Sequence, residues 1–252
     1  IRMDKITRPM IKKFMQPLFL RNYETARKLL GYLYKIFEIA SENELRDGNP
    51  CPRKDSFTIT KRKVQHSSSL HFSRLNELWR WLEDAPFSEP IKAAMRLSIV
   101  TTHRAGLIAN MRWDQFDCNT GIWIIPGSPT GPSEGFVASD RQFLVKLPRG
   151  LSKPICELPK RCEYVFSVNG NNPINAETLR RNFQKFANIT TDGFRNTFKT
   201  WCLSNGIEQF LADRYCDRSL KRLDKSYRKD DLFRQRAQLA ATHSCAPRPH
   251  HC

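Results

Sequence analysis

The sequence has no apolar run approaching the roughly 18 residues that a membrane-spanning helix needs, and its first residues hold no hydrophobic stretch of the signal-peptide kind. No membrane-spanning helix is expected, and the opening residues do not read as a signal peptide. None of the eight cysteines, at 51, 118, 156, 162, 202, 216, 245 and 252, forms a Cys-x-x-Cys pair, and several sit inside apolar patterns. That usage predicts a reduced, cytosolic chain rather than a disulfide scaffold. There is no internal repeat. Acidic residues are scarce, 25 against 42 Lys and Arg. The opening IRMDKITRPM lacks an initiator methionine, and the chain is read as starting inside a larger protein.

What is present is positive charge and enough apolar text for a core. The formal net charge is +17, hydrophobic residues make up 40% of 252 positions, and aromatics 11%. Such an excess attracts polyanions. No amphipathic lipid-binding helix or lipidation motif accompanies it, so nucleic acid is the expected partner; the alternative is a merely basic soluble protein. The ending THSCAPRPHHC gathers His243, Cys245, His250, His251 and Cys252. A metal site there is conceivable, but the segment is short, proline-bearing and terminal, so residues 243–252 are expected to be a disordered tail and no metal is assigned.

Residues 1–50 read as helical. Thr7 with Pro9 suits a helix N-terminus, and Asn22 caps a second helix. Within that helix Ala26, Leu29, Leu30, Leu33, Ile36, Phe37 and Ala40 recur at helical spacing as one apolar face, with Arg21, Arg27, Lys28 and Lys35 on the polar side. Gly48, Pro50 and Pro52 break the pattern, and the basic run Lys61, Arg62, Lys63 precedes three serines; residues 51–66 read as a basic linker that would lie along a DNA backbone, or as a plain solvated loop. From residue 70 helical text resumes, with Leu75, Leu78, Trp79 and Leu82 on one face. Trp113, Phe116 and Ile122–Ile125 predict a helix end running into a strand. FVASDRQFLVKLP and YVFSV predict two more strands, and four helical stretches follow, the second ended by Gly206. The fold class is mainly α with a small antiparallel β-sheet.

Three stretches carry the chemistry. TTHRAGLIANMRWDQFD places Arg104 after an apolar helix, DGFRNTFKTWCLSNG places Arg195 at a helix start, and RLDKSYRKDDLFRQR places Tyr227 among basic residues. In this order and spacing the chain resembles the catalytic domain of the tyrosine recombinases, the phage-integrase family, and is most similar to the prophage-type integrases of enterobacteria. The resemblance covers about residues 70–240 and implies a two-lobed clamp around duplex DNA: a truncated helical core DNA-binding domain at 1–50 and a catalytic domain at 67–242. It implies that the Tyr227 hydroxyl attacks a phosphodiester to form a 3′-phosphotyrosine bond. Arg104 and Arg195 would clamp the non-bridging oxygens, whose charge grows in the transition state. No metal or other cofactor is implied. Tyr215 is a rival nucleophile that lacks the text following Tyr227. Without the resemblance, both arginines read as surface or core-edge salt-bridge partners and Tyr227 as an amphipathic aromatic.

This sequence departs from the family's pattern at four places. Asp192 stands three residues before Arg195, where the family has His or Lys. Arg218 stands where a later His or Trp is usual, and Leu107 where an acidic residue commonly follows the first arginine. The hairpin between Trp123 and Leu147 has no lysine before Lys146; Arg141 is the cation near the expected place for the leaving-group donor and Lys146 the fallback. Arginine's high pKa makes it a poor proton donor. Asp192 reads as an N-cap, or as a proton acceptor coupled to Arg218; an unshielded carboxylate at about 4 Å opposes a phosphate by roughly 1–4 kcal/mol. The expectation is a site-specific DNA recombinase of a mobile element with an atypical site, working as a tetramer on attachment sites in the bacterial cytoplasm at the nucleoid. The alternatives are an impaired relative that occupies or regulates such sites, and a basic architectural protein without recombination.

Overall fold

A computed structural model describes residues 1–59, 68–128, 142–216 and 232–245. The chain divides into two compact units, Ile1–Gln65 and His66–Cys252. Among the described residues it is mainly helical, with one three-stranded antiparallel sheet.

In the first unit, α1 (Arg8–Arg21) and α2 (Tyr23–Glu42) pack through Met15 and Phe19 against Ala26, Leu30 and Phe37. Asn22 caps α2 as its sequence predicts, accepting from the Thr25 N–H at 3.3 Å. Thr7 makes no side-chain cap bond; Pro at the start of α1 already removes one of the amides such a cap would serve. The apolar stripe of α2 is narrower than its text, since Ile36 stays 48% exposed. Cys51 and Phe57, expected in the linker, belong to the core of the first unit. Phe57 stacks on Phe19 at 4.4 Å, and Gln16 bonds both the N–H and the carbonyl of Thr58. Two apolar side chains within polar text suffice to fold that stretch back. Lys61, Arg62 and Lys63 lie outside the described residues.

The second unit is built around α4 (Glu89–Thr101), whose last five residues, Leu97–Thr101, are all buried. Around it lie α3 (Leu75–Asp84), α5 (Ala105–Ala109), α6 (Arg149–Cys156), α7 (Ala176–Gln184), α8 (Gly193–Ser204), α9 (Gln209–Tyr215) and α10 (Phe233–Cys245). The predicted face of α3 is the observed one, with Leu75, Leu78, Trp79 and Leu82 buried. Strands β1 (Phe116–Asp117), β2 (Ile122–Ile125) and β3 (Phe143–Lys146) pair in that order, with Trp123 opposite both Phe116 and Val145. YVFSV is not a strand. It contributes one bridge, Tyr164 to Arg112, while the Val165 N–H goes to the Met111 carbonyl. Helix α10 continues through His243–Cys245, residues assigned above to a tail, because the His243 ring is buried against Phe198 and Trp201.

The reduced-cysteine expectation is also overturned. Cys118, in the β1–β2 turn, and Cys156, the last residue of α6, form a disulfide with their Cα atoms 5.8 Å apart. Their separation of 38 residues encloses β2 and β3. Closing a loop of that size removes unfolded-state entropy worth about 4 kcal/mol. Reduction, or Cys118→Ser, is therefore expected to lower the unfolding free energy of this unit by about 2–4 kcal/mol. Urea titrations with and without reductant, run on the wild type and the serine variant, check it; equal midpoints would refute it.

Candidate active site

The site begins with how α4 ends. Thr102 adopts a left-handed conformation, φ +54°, and its N–H still bonds the Ser98 carbonyl at 3.1 Å. A β-branched residue rarely takes that region. Its surroundings hold it there: the hydroxyl meets Cys216 Sγ at 3.2 Å, and the carbonyl accepts from Arg195 Nε at 3.0 Å. The reversal delivers His103 and then Arg104, which stands at the N-cap of α5 and receives the Leu107 and Ile108 amides on its carbonyl. Leu107 is buried in the main core.

Arg195 sits one turn into α8, only 7% exposed. Close packing sets the start of this helix. A Cβ on Gly193 would lie 2.3 Å from the Ser68 carbonyl oxygen, and the Thr197 hydroxyl donates to the Leu70 carbonyl at 2.6 Å. Gly193→Ala is expected to destabilise the unit by about 1–3 kcal/mol, read as a lowered melting temperature; an unchanged melt would show that the 68–70 segment can move aside.

The expected side-chain cap by Asp192 is not formed. The residue's backbone is already helical, φ −69° and ψ −23°, and its carboxylate makes no cap bond. The Thr190 hydroxyl takes the Gly193 N–H at 3.0 Å instead. Asp192 is 67% exposed and lies 3.6 Å from Arg195 Nη1. The carboxylate thus pairs with the arginine it was expected to cap beside. Arg218, its other expected partner, lies outside the described residues, as do Tyr227 and Arg141.

His103 is buried where these elements meet. Its ring packs against Trp123 and Phe143 at 5.8 and 5.6 Å, and Nδ1 lies 2.7 Å from the Thr101 carbonyl. Burial holds its pKa down at about 3; the Thr101 carbonyl opposes this, and the charges of Arg195, Arg236 and Arg104 add to it. Three guanidinium groups from α5, α8 and α10 therefore act on one imidazole. Arg236, 4% exposed, donates to the Leu144 carbonyl at 2.8 Å and lies over the Phe143 ring at 4.1 Å. Neither His103 nor Arg236 was singled out from sequence. The adjacency of His103 to Arg104 was the one available signal, and nothing in the FRQR text marks Arg236 among its neighbours.

Two sequence candidates have their polar groups engaged by backbone carbonyls. The Lys146 ammonium donates to the Thr120 carbonyl in the β1–β2 turn, and its charge acts on Asp117. Lys146 also lines, with His103, Val145 and Arg236, the small cavity at this corner. Tyr215 is core: its hydroxyl donates to the Val100 carbonyl at 2.7 Å, its ring stacks on Phe198, and burial raises its pKa. It is not available as a nucleophile. Among the described residues no group of His, Cys, Asp and Glu side chains is placed to hold a metal ion, and no helix is long and apolar enough to cross a membrane.

A mainly helical unit carrying a three-stranded antiparallel sheet, with two arginines brought to one buried turn, defines the catalytic-domain fold of tyrosine recombinases. The lambda integrase fragment 75–356, solved as a dimer bound to a COC′ core site, aligns over 92% of this chain and 82% of its own, with a TM-score of 0.62 and 17% identity. The Tn1549 transposon integrase in complex with transposon right end DNA aligns over 100% and 84%, with a TM-score of 0.64 and 12% identity. No family model matches the sequence. Two curated relatives do: the integrase of Enterobacteria phage P4, 27% identical over 104 residues, and the prophage integrase IntA of Escherichia coli K12, 23% identical over 242 residues. These alignments take in 41% and 90% of this chain, and the chain spans only 24% and 55% of the two relatives. The fold is that of the tyrosine recombinase catalytic domain, and in sequence the chain is similar to these phage-type integrases.

Proposed function

We propose that the chain is the DNA-cleaving part of a site-specific recombinase of a mobile element. The observation that supports this most is the bond from Arg195 Nε to the Thr102 carbonyl at 3.0 Å, which ties the second arginine to the turn carrying the first across 93 residues of sequence. In the proposed reaction the Tyr227 hydroxyl oxygen bonds to the scissile phosphorus and loses its proton. The P–O5′ bond breaks, and the 5′ oxygen takes up a proton. Arg104 and Arg195 hold the non-bridging oxygens as charge accumulates. Arg141 is the cation proposed to attend the leaving oxygen, since Lys146 is engaged at Thr120. Arg218 is proposed to supply a further positive charge, and Asp192 to receive the tyrosine proton. Residues 1–50 are proposed as core DNA-binding domain, with Lys61, Arg62, Lys63, Arg141 and Lys146 contacting DNA. Attachment-site duplex, tetrameric assembly on it and a nucleoid location follow from the same reading. Phosphate contacts would dominate affinity, which would fall steeply with salt.

A second reading rests on the Asp192–Arg195 pair. An anion beside a phosphate ligand suits a protein that occupies attachment sites without cutting them. One experiment separates the two. The protein is recovered under denaturing conditions from cells carrying its native chromosomal flanks, and attached DNA is sequenced for the wild type and Tyr227→Phe. Adducts that vanish in the variant establish the nucleophile and reveal the site. No adduct from either, with DNA binding intact, selects the occupying protein.

A further inference from the structure

We propose that His103 is a positioning residue for the two arginines, acting as an uncharged pin whose Nδ1–H fixes the turn that carries Arg104 and receives Arg195. The assignment deepens the recombinase reading and rests on it for its effect on cleavage.

The geometry is specific about the tautomer. The Thr101 carbonyl, 2.7 Å from Nδ1, can only accept, so the proton is on Nδ1 and Nε2 is left with a lone pair. Nε2 is buried and has no hydrogen-bond partner among the described residues. A neutral imidazole in water favours the other tautomer, so the protein has selected this one through the Thr101 contact.

The turn it fixes is a poor one for its sequence. Thr102 stays left-handed only while its carbonyl, its hydroxyl and the flanking residues are held. Releasing the Thr101 carbonyl frees the peptide plane before Thr102, and the next carbonyl along is the one that orients Arg195. Arg104 is two residues further on, so both guanidiniums depend on the same few torsions. Small misplacements of clamping groups are costly in rate.

Neutrality is part of the device. The charged groups around the ring are Arg104 from α5, Arg195 from α8 and Arg236 from α10, while Tyr215 of α9 and Lys146 of β3 share with it the small cavity at that corner. A charged imidazole would repel all three arginines, and burial among Trp123 and Phe143 excludes it. His103 therefore sits next to the reaction without exchanging protons with it.

The test uses the full chain and a nicked attachment-site duplex that traps the phosphotyrosine adduct. His103→Asn places an amide N–H where Nδ1 stands; His103→Gln places its polar group further out; His103→Phe keeps only the ring. The expected result is a cleavage rate for the Asn variant within about 3-fold of wild type and losses of about 30-fold or more for Gln and Phe, with DNA binding of all three within about 3-fold. The Asn variant's rate–pH profile should superimpose on the wild-type profile from about pH 5.5 to about pH 8. Wild-type rates for Gln and Phe would overturn the proposal, and so would loss of a pH limb in Asn, which would make His103 a proton carrier. A readout independent of cleavage is the ring ¹⁵N spectrum of the wild-type protein: Nδ1 protonated, Nε2 not, unchanged between about pH 7.5 and about pH 5. The opposite tautomer, or titration in that range, overturns the pin even if the Asn variant fails to fold. No wild-type adduct together with the expected spectrum would sink the recombinase reading while leaving the pinned turn standing.

Discussion

Arg195→Lys is expected to lower the rate of adduct formation by about 10²–10³-fold while DNA retention changes only a few-fold. The wild-type guanidinium does two things at once. Nε is spent on the Thr102 carbonyl, which sets the plane of the group, and Nη1 lies 3.6 Å from the Asp192 carboxylate. A lysine has one ammonium on a flexible stem, and cannot hold the carbonyl and present a planar pair of donors together. It also leaves the buried Thr102 carbonyl without its partner, a cost of about 1–3 kcal/mol in stability. Retention should survive, because the proposed binding would draw on many phosphate contacts of a chain with net charge +17. Single-turnover cleavage of a trapping duplex and a gel-shift titration measure the two effects separately. A lysine variant that cuts within about 5-fold of wild type would mean that charge alone is required there, and the oriented-clamp account would be wrong.

The second large effect is an acid sensitivity of the second unit. His103 and His243 are both buried, with pKa values held down at about 3 and about 4, in each case chiefly by burial. In the unfolded chain both return to about 6.5. The unfolded state therefore binds protons first, so the stability is fully present above about pH 6.5 and is lost as the pH falls from there toward the folded-state values. Between about pH 7.5 and about pH 5 each histidine should remove roughly 2 kcal/mol. Urea midpoints at the two pH values test this in the wild type and in His243→Phe, which keeps an aromatic ring against Phe198 and Trp201. The variant should lose about half as much stability on acidification. Equal losses would remove His243 from this account.

What the sequence could disclose follows from the range of the interactions concerned. The helices around Leu75–Leu82 and Ala26–Ala40 announce themselves because one helix face repeats within a few residues. The short apolar run Ile122–Ile125 does the same for β2. Gly206, φ +68°, ends α8 as its text suggests, with the Ile207 N–H returning to the Cys202 carbonyl. Failures arise where a distant partner decides the matter. RGLSKPIC carries Pro154 within it and no long helical repeat, yet α6 buries Leu151 and Ile155 in the core. YVFSV has strand composition but little to pair with. Cys118 and Cys156 meet only after the hairpin folds back. In the candidate site, the family resemblance is what draws attention to Arg104 and Arg195. His103 was not, because its role comes from groups on α5, α8 and α10 that no local pattern connects.

The carboxylate of Asp192 can also be viewed as an ion that never leaves. A cation that binds DNA ordinarily exchanges mobile ions for phosphate, and the entropy of their release drives association. Arg195 already has an anion of its own, fixed by the chain one helical turn away at 3.6 Å. A phosphate arriving there displaces a side chain that stays in place as a competitor, and few mobile ions are set free. This contact should therefore contribute less than the usual increment of about 0.9 to the salt exponent of binding. Occupancy of the cleavage point would then respond weakly to ionic strength, while the grip of the rest of the protein responds strongly. Raising salt would shed loosely held DNA sooner than it would empty the point of attack.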